Sequence, residues 1–328
     1  MPDVLNDIAN TPEMLRLSDI GMHCGCEYTS VPIYSRAAAP YSRLTHSIGV
    51  AGIVWHFTHD IKQAVAGLLH DIATPVFAHT IDFMNNDHMT QESTEEKTLA
   101  FIKDSESIMA LLERHSISVE EVSDYHIYPI ADNDTPMLSA DRLEYTFGNI
   151  STIFNEPLSL IEELYSDLSI GENELGKPEL CFLTYDKALE FTRLALRNSY
   201  FYVTDSDRFS MQYLSDIIRN ALGAGILVPD DLFATERDVI GKLKAAGGSR
   251  NAWDIHSRIS KVSTSPAVLC DRYCVNVSAK KRYIDPLVMT GIGCKRLSDI
   301  DAGIGAGIQA FLDLDFNYWL FMDEPQRL

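Results

Sequence analysis

The sequence predicts a mostly α fold with a smaller α/β part at its C-terminal end. Three observations carry that expectation. Apolar residues recur every three to four positions through several long segments, residues that start and stop helices flank them, and short runs rich in Val, Tyr and Ile cluster near the end of the 328 residues.

Val50, Ile53, Val54 and Phe57 share one helical face, so a helix is expected from about Thr45, with His46 in its first turn. From Ile61 to Ile72 the apolar positions 61, 64, 65, 68, 69 and 72 follow the i, i+3, i+4, i+7 pattern, which puts His70 and Asp71 in the last turn of a strongly amphipathic helix. Asp141 to Phe154, Leu158 to Asp167, Lys187 to Tyr202, Ser210 to Leu222 and Asp230 to Ala246 also read as helices. Asp186 and Ser206 or Asp207 act as start signals, with Gly223 and Gly247-Gly248 as stops. Beyond them AVLCDRYCVNV and RYIDPLVMT, separated by the polar SAKK, predict a β-hairpin. The expected division is a helical core over 1–225 and a helical and β-hairpin appendage over 226–328.

With 46% hydrophobic and 23% charged residues, and neither repeat nor low-complexity tract, the composition is that of a folded protein. MPDVLNDIANTPEM lacks a basic start followed by an apolar core, and no run of 18 uncharged apolar residues occurs, so a cytoplasmic location without membrane contact is expected. Six scattered cysteines suit reduced thiols, and His23-Cys24-Gly25-Cys26, without a second pair at finger-like spacing, reads as a structural loop. A net charge of -20 argues against a nucleic-acid polymer as partner, because such binding neutralises phosphates with clustered Lys and Arg. A small phosphorylated substrate in a locally basic pocket remains compatible.

Four residues stand out as metal ligands: His46 on one expected helix, the adjacent His70 and Asp71 on the next, and Asp141 on a later one. Mixed imidazole and carboxylate ligands suit Mn, Fe, Ni, Zn or Mg and leave positions for water and a substrate oxygen. An ionisable Asp beside an apolar helix face is costly unless paired or metal-bound, which weighs against an ordinary helix cap at Asp71.

RLTHSIGV (43–50), LLHDIATPVFAH (68–79) and SADRLEYTF (139–147) resemble the H…HD…D signature of HD-domain phosphohydrolases, and more closely the dNTP triphosphohydrolase branch that includes the mammalian SAM-and-HD-domain enzyme. NTPEMLRLSDIGM resembles the segment that leads to the first ligand in that family, so the likeness covers roughly residues 5 to 150. The resemblance implies an HD-domain helical bundle holding a divalent metal (Mn, Fe, Ni, Mg, Co or Zn) on His46, His70, Asp71 and Asp141, and, as in that branch, a homo-oligomer. It implies phosphate contacts at Arg43, Arg142 and Tyr145, against the plainer readings of a surface Arg43, an Arg142 paired to Glu144 or Asp141, and a core Tyr145. FAHTID resembles the family's FSH-x-x-D, in which Asp82 would orient His79 in the active site for proton transfer; packing beneath the metal is the alternative.

The pattern departs at Thr74, where that branch carries a histidine, and at Thr90-Gln91-Glu92, where it reads T-H-E; a shifted alignment would use His88 instead. Glu92 is an acid/base candidate or, with Glu95 and Glu96, part of a helix start. Lys281 and Arg282 resemble a late basic strand that reaches a nucleotide phosphate, or are a solvated turn. The expected function is metal-dependent hydrolysis of a nucleotide or deoxynucleotide phosphate ester, dNTP triphosphohydrolase-like. The alternatives are a degenerate HD protein that senses nucleotide or acts as a scaffold without turnover, a phosphatase or nucleotidase of different substrate, and a phosphodiesterase.

Overall fold

The computed structural model describes residues 1–84 and 97–323, and they are mostly helical. Helices α1 (Asp3–Ala9) and α2 (Pro12–Arg16) lead through a long loop to α3 (Arg43–Thr58). Ser42 caps α3 by accepting the Thr45 amide, and Asp60 caps α4 (Ile61–Leu69) by accepting the amides of Lys62 and Gln63. The two helices pack closely because α4 presents Gly67, where a Cβ would stand 3.2 Å from Val50. Helix α4 ends earlier than its apolar pattern: His70 is its C-cap, and Asp71 lies in the tight turn that follows, with the Thr74 amide donating to the Asp71 carbonyl at 2.9 Å.

After α5 (Thr80–Met84), α6 (Thr98–Asp104) and α7 (Glu106–Arg114) comes α8 (Ala140–Thr152), capped by Ser139 and packed on α3. Then follow α9 (Leu158–Ser166), the strands β1 (Leu168–Glu172) and β2 (Pro178–Phe182), and the long helices α10 (Tyr185–Tyr202) and α11 (Asp205–Gly223). Helix α11 starts five residues before Ser210, because Thr204 accepts the Asp207 amide and supplies the cap. The expected helix over 230–246 is a 3-10 turn, Pro229–Phe233, followed by α12 (Glu236–Ala245) with its own cap at Thr235. Next come α13 (Gly247–Arg258), β3 (Ser263–Ser265), β4 (Cys274–Val275), β5 (Leu287–Thr290), β6 (Gly293–Arg296), α14 (Leu297–Ile300), α15 (Ala302–Leu312) and β7 (Trp319–Phe321).

The expected hairpin across SAKK does not form. Lys281 donates its ammonium to the carbonyls of Leu312 and Leu314, which ties this stretch to the end of α15 instead of into a turn. The two flanking segments part: β4 pairs with β7 beside β3, while β5 joins β1, β2 and β6. A hairpin does exist, between β5 and β6, and β5 lies parallel to β2 with Leu287 opposite Cys181. Among the described residues no helix is long and apolar enough to cross a membrane.

One apolar cluster runs from Val4 to Leu320, and His256 of α13 is fully buried beside it against Trp253. Neither ring nitrogen of His256 has a partner among the described residues, and burial pushes its pKa down to about 3. The unfolded chain takes up this proton below about pH 6.5 and the folded chain does not, so stability rises with pH across that window. Denaturant unfolding should show about 2 kcal/mol lost from this group between pH 7 and pH 5. His256→Phe should remove that component; equal pH slopes in the two proteins would refute it.

Candidate metal centre

His46 and Asp141, 95 residues apart, meet at 2.9 Å between Nε2 and Oδ1 because α3 and α8 pack side by side at their first turns. His70 joins them from the end of α4, its Nε2 3.6 Å from the same Asp141 oxygen. One ligand atom each from His46, His70 and Asp141 lies within 4.8 Å of the others.

The side chains behind this trio fix its chemistry. The Nδ1 of His70 faces the Gly67 carbonyl at 2.7 Å, and since a carbonyl only accepts, Nδ1 carries a hydrogen and Nε2 is the nitrogen aimed at the cluster. His46 donates from Nδ1 to Glu144, which also accepts the Tyr41 hydroxyl. Burial opposes a charge on His46, but Glu144 and Asp141 outweigh it and hold the pKa up at about 10. Burial likewise works against the Asp141 carboxylate, and His46 and His70 bring it down to about 2. The site therefore favours positive charge between imidazole and carboxylate, and two imidazoles with a carboxylate suit a divalent cation.

Asp71 stands at the edge of the trio, its Oδ2 3.5 Å from His70 Nε2 and 4.0 Å from His46 Nε2. Arg43 Nη1 donates to both its oxygens, at 2.9 and 3.2 Å, and Thr74 donates to Oδ1 at 2.7 Å. Although buried, Asp71 stays well below the usual carboxylate range because of Arg43 and the two histidines. Arg43 is not a surface residue: it is 8% exposed and lines a cleft of about 400 Å³ together with His70, Asp71, Thr74 and His79.

His79 donates from Nδ1 to the fully buried Asp82 at 2.9 Å. Burial lowers its pKa, with Arg282 and Arg43 acting the same way against Asp82, so the ring is neutral at pH 7. Arg142 turns from Asp141 and Glu144 toward the other wall, where it meets Asp132 at 3.4 Å and the carbonyl of Met137. Tyr145 is half-buried edge-on to Tyr202 at 6.1 Å, and burial raises its hydroxyl to about 12. The charge of Arg282 acts on His79, Tyr145 and Tyr202, whereas Lys281 is turned away to α15. Glu92 lies outside the described residues. The His23–Cys26 stretch is a buried loop with left-handed backbone at Cys24 and Gly25 and free cysteines.

Sequence reasoning missed Glu144 as the partner of His46. The signal was present: Glu144 lies one turn after Asp141 on the same helix face, and Gly49, three residues after His46, has no side chain where a Cβ would overlap Glu144. It also missed Tyr125, stacked on His70 at 4.8 Å, and His126, gripped by Asp124 at 3.0 Å on the cleft wall. Glu144→Ala should lower affinity for Mn²⁺ by roughly 10- to 100-fold in calorimetric titration, the usual effect of removing a carboxylate that orients a ligating imidazole. Unchanged affinity would reduce Glu144 to a packing group.

No protein-family model matches the chain. The Bacillus subtilis uncharacterized protein YdhJ is 23% identical over 250 residues, 75% of this chain and 74% of that protein. Metal-dependent phosphohydrolase cns2 of Cordyceps militaris is 27% identical over 142 residues. This chain is a distant relative of a metal-dependent phosphohydrolase. The match spans 43% of the chain and about two fifths (39%) of cns2. A hypothetical protein from Aquifex aeolicus, known from its crystal structure, shares the fold with a TM-score of 0.67 at 16% identity, over 98% of this chain and 93% of that one. The relationship to cns2 and the His-His-Asp cluster together support a phosphohydrolase that uses a divalent metal.

Proposed function

We propose that this protein is a metal-dependent hydrolase of a nucleotide or deoxynucleotide phosphate ester, of the HD type. The observation that carries the reading is the convergence of His46, His70 and Asp141 from three helices beside the buried Arg43–Asp71 pair, at the edge of a cleft. The nucleotide part rests on the likeness of the segments around His46, His70 and Asp141 to the dNTP triphosphohydrolases.

His46, His70 and Asp141 would hold the cation, with Asp71 beside them. When bound, the cation polarises a phosphoryl oxygen and makes a water more acidic. Arg43 supplies a fixed positive charge on the cleft wall for phosphate oxygens, and we propose Arg142, Tyr145 and Arg282 as further phosphate contacts on the likeness to the dNTP triphosphohydrolases. Neutral His79, with its hydrogen on Nδ1 toward Asp82, keeps the Nε2 lone pair to take a proton from the attacking water and then pass it to the leaving oxygen.

A nucleotide sensor without turnover is the second reading, favoured by Thr74, which spends its hydroxyl on Asp71 where the resembled branch carries a histidine. Incubation with dNTPs, NTPs, nucleoside monophosphates and a generic phosphomonoester, each with Mn, Mg, Ni, Co or Fe, separates the readings, with His70→Ala, Asp71→Ala as control. Nucleoside plus triphosphate, absent in the control, is the expected result. Nucleoside plus single phosphate would make the protein a nucleotidase, and nucleotide binding without turnover under any metal would leave the sensor.

A further inference from the structure

Outside the metal centre, two free thiols come together on the four-stranded sheet. Side chains alternate along a strand, so Glu179 and Cys181 of β2 project to one side, as do Cys294 and Arg296 of β6. Strand β2 is parallel to β5 and β5 antiparallel to β6, so β2 and β6 run in opposite directions. Glu179 and Arg296 meet in a buried ion pair of 2.6 Å. Cys181 lies two residues beyond Glu179 on β2, and Cys294 two residues before Arg296 on β6.

Strand β1 shows the two thiols to be neighbours: a Cβ built on Gly171 would overlap both sulfurs, at 2.4 Å from Cys294 and 2.9 Å from Cys181, so the sulfurs stand no more than about 5 Å apart. The two thiols differ in access. Cys181 is fully buried, and burial together with Cys294 pushes it up to about 12, so it stays a thiol at neutral pH. Cys294 is half-buried and lines a surface hollow of about 590 Å³ with Ile170, Pro178 and Met289.

We propose that Cys181 and Cys294 form a redox modification site that closes to a reversible disulfide. With a peroxide as oxidant, the Cys294 thiolate attacks one oxygen, the O–O bond breaks, Cys294 becomes a sulfenic acid, and the expelled hydroxide takes up the proton that the Cys294 thiol released and leaves as water. The Cys181 sulfur then attacks that sulfenic sulfur, and the expelled hydroxide takes the Cys181 proton and leaves as a second water. Two thiols and one hydrogen peroxide thus give one disulfide and two waters, and a dithiol reductant reverses the change. The bond closes a loop of more than a hundred residues and pins β6 to β2 beside Glu179, which accepts the Leu138 amide just ahead of α8.

The test treats the full-length protein with hydrogen peroxide, blocks remaining thiols with N-ethylmaleimide and maps the peptides by mass spectrometry. The expected result is a Cys181–Cys294 crosslink that dithiothreitol removes, with a melting temperature higher by roughly 5 °C in the oxidised form. Cys294→Ser should abolish both effects. If that variant does not fold, the wild-type peptide map alone decides. Oxidation confined to exposed Cys270, or Cys294 over-oxidised while Cys181 remains alkylatable after unfolding, would overturn the proposal.

Discussion

His46→Ala should empty the metal centre and lower turnover on the order of a thousand-fold, the scale of losing the group that places and polarises the reacting oxygen. The expected size follows from how His46 is held. It is the one member of the trio with both ring nitrogens committed, one to Glu144 and the other to Asp141, and it is 1% exposed. Removing it takes away a ligand atom and leaves Asp141 and Glu144 without the imidazole between them. Elemental analysis of the purified variant beside wild type reads the first effect, and product formation on the nucleotide panel reads the second. A variant that keeps a full equivalent of divalent cation would show that the cation sits elsewhere, whatever its activity. An empty but equally active variant would show that hydrolysis does not pass through this cluster.

Much of this site was legible in the sequence because helical periodicity fixes which residues share a face. The apolar stripe Ile61, Ala64, Val65, Leu68 identifies α4 and leaves His70 at its end, and the cap Ser139 starts the helix that carries Asp141. The resemblance of three short segments then brought together residues nearly a hundred positions apart, which periodicity alone does not do. The unread parts share a physical cause. Strand pairing is a long-range choice: nothing local in Leu287–Thr290 says that its neighbours are β2 and β6 rather than the segment across SAKK. Lys281, in the stretch between those segments, bonds instead to carbonyls at the end of α15. The second layer of the site was hidden in the same way. Glu144 and Arg142 look like a charged pair along one helix, yet the fold sends one to His46 and the other to Asp132.

Glu179→Ala should be among the most destabilising single substitutions in the chain, costing about 3 to 5 kcal/mol, or roughly 6 °C in melting temperature. Glu179 is fully buried on β2 and accepts from Arg296 at 2.6 and 2.7 Å, from Asn173 at 3.1 Å and from the Leu138 amide at 3.0 Å. The variant leaves a largely buried guanidinium with, among the described residues, the more exposed Glu174 and the Asp285 carbonyl, and it orphans a backbone amide. A buried ion pair is expensive to break and cheap to replace as a unit, so Glu179→Leu, Arg296→Met should recover most of the loss. Full recovery is not expected, because the Leu138 amide still lacks its acceptor. That amide stands one residue before Ser139, the cap of α8, so the same double variant reports on the link between the sheet and the metal centre. If Glu179 steadies the start of α8, Mn²⁺ affinity stays reduced in the double variant after its melting temperature has returned. If affinity returns together with stability, the ion pair supports the sheet alone and Asp141 is placed by α8 and its cap.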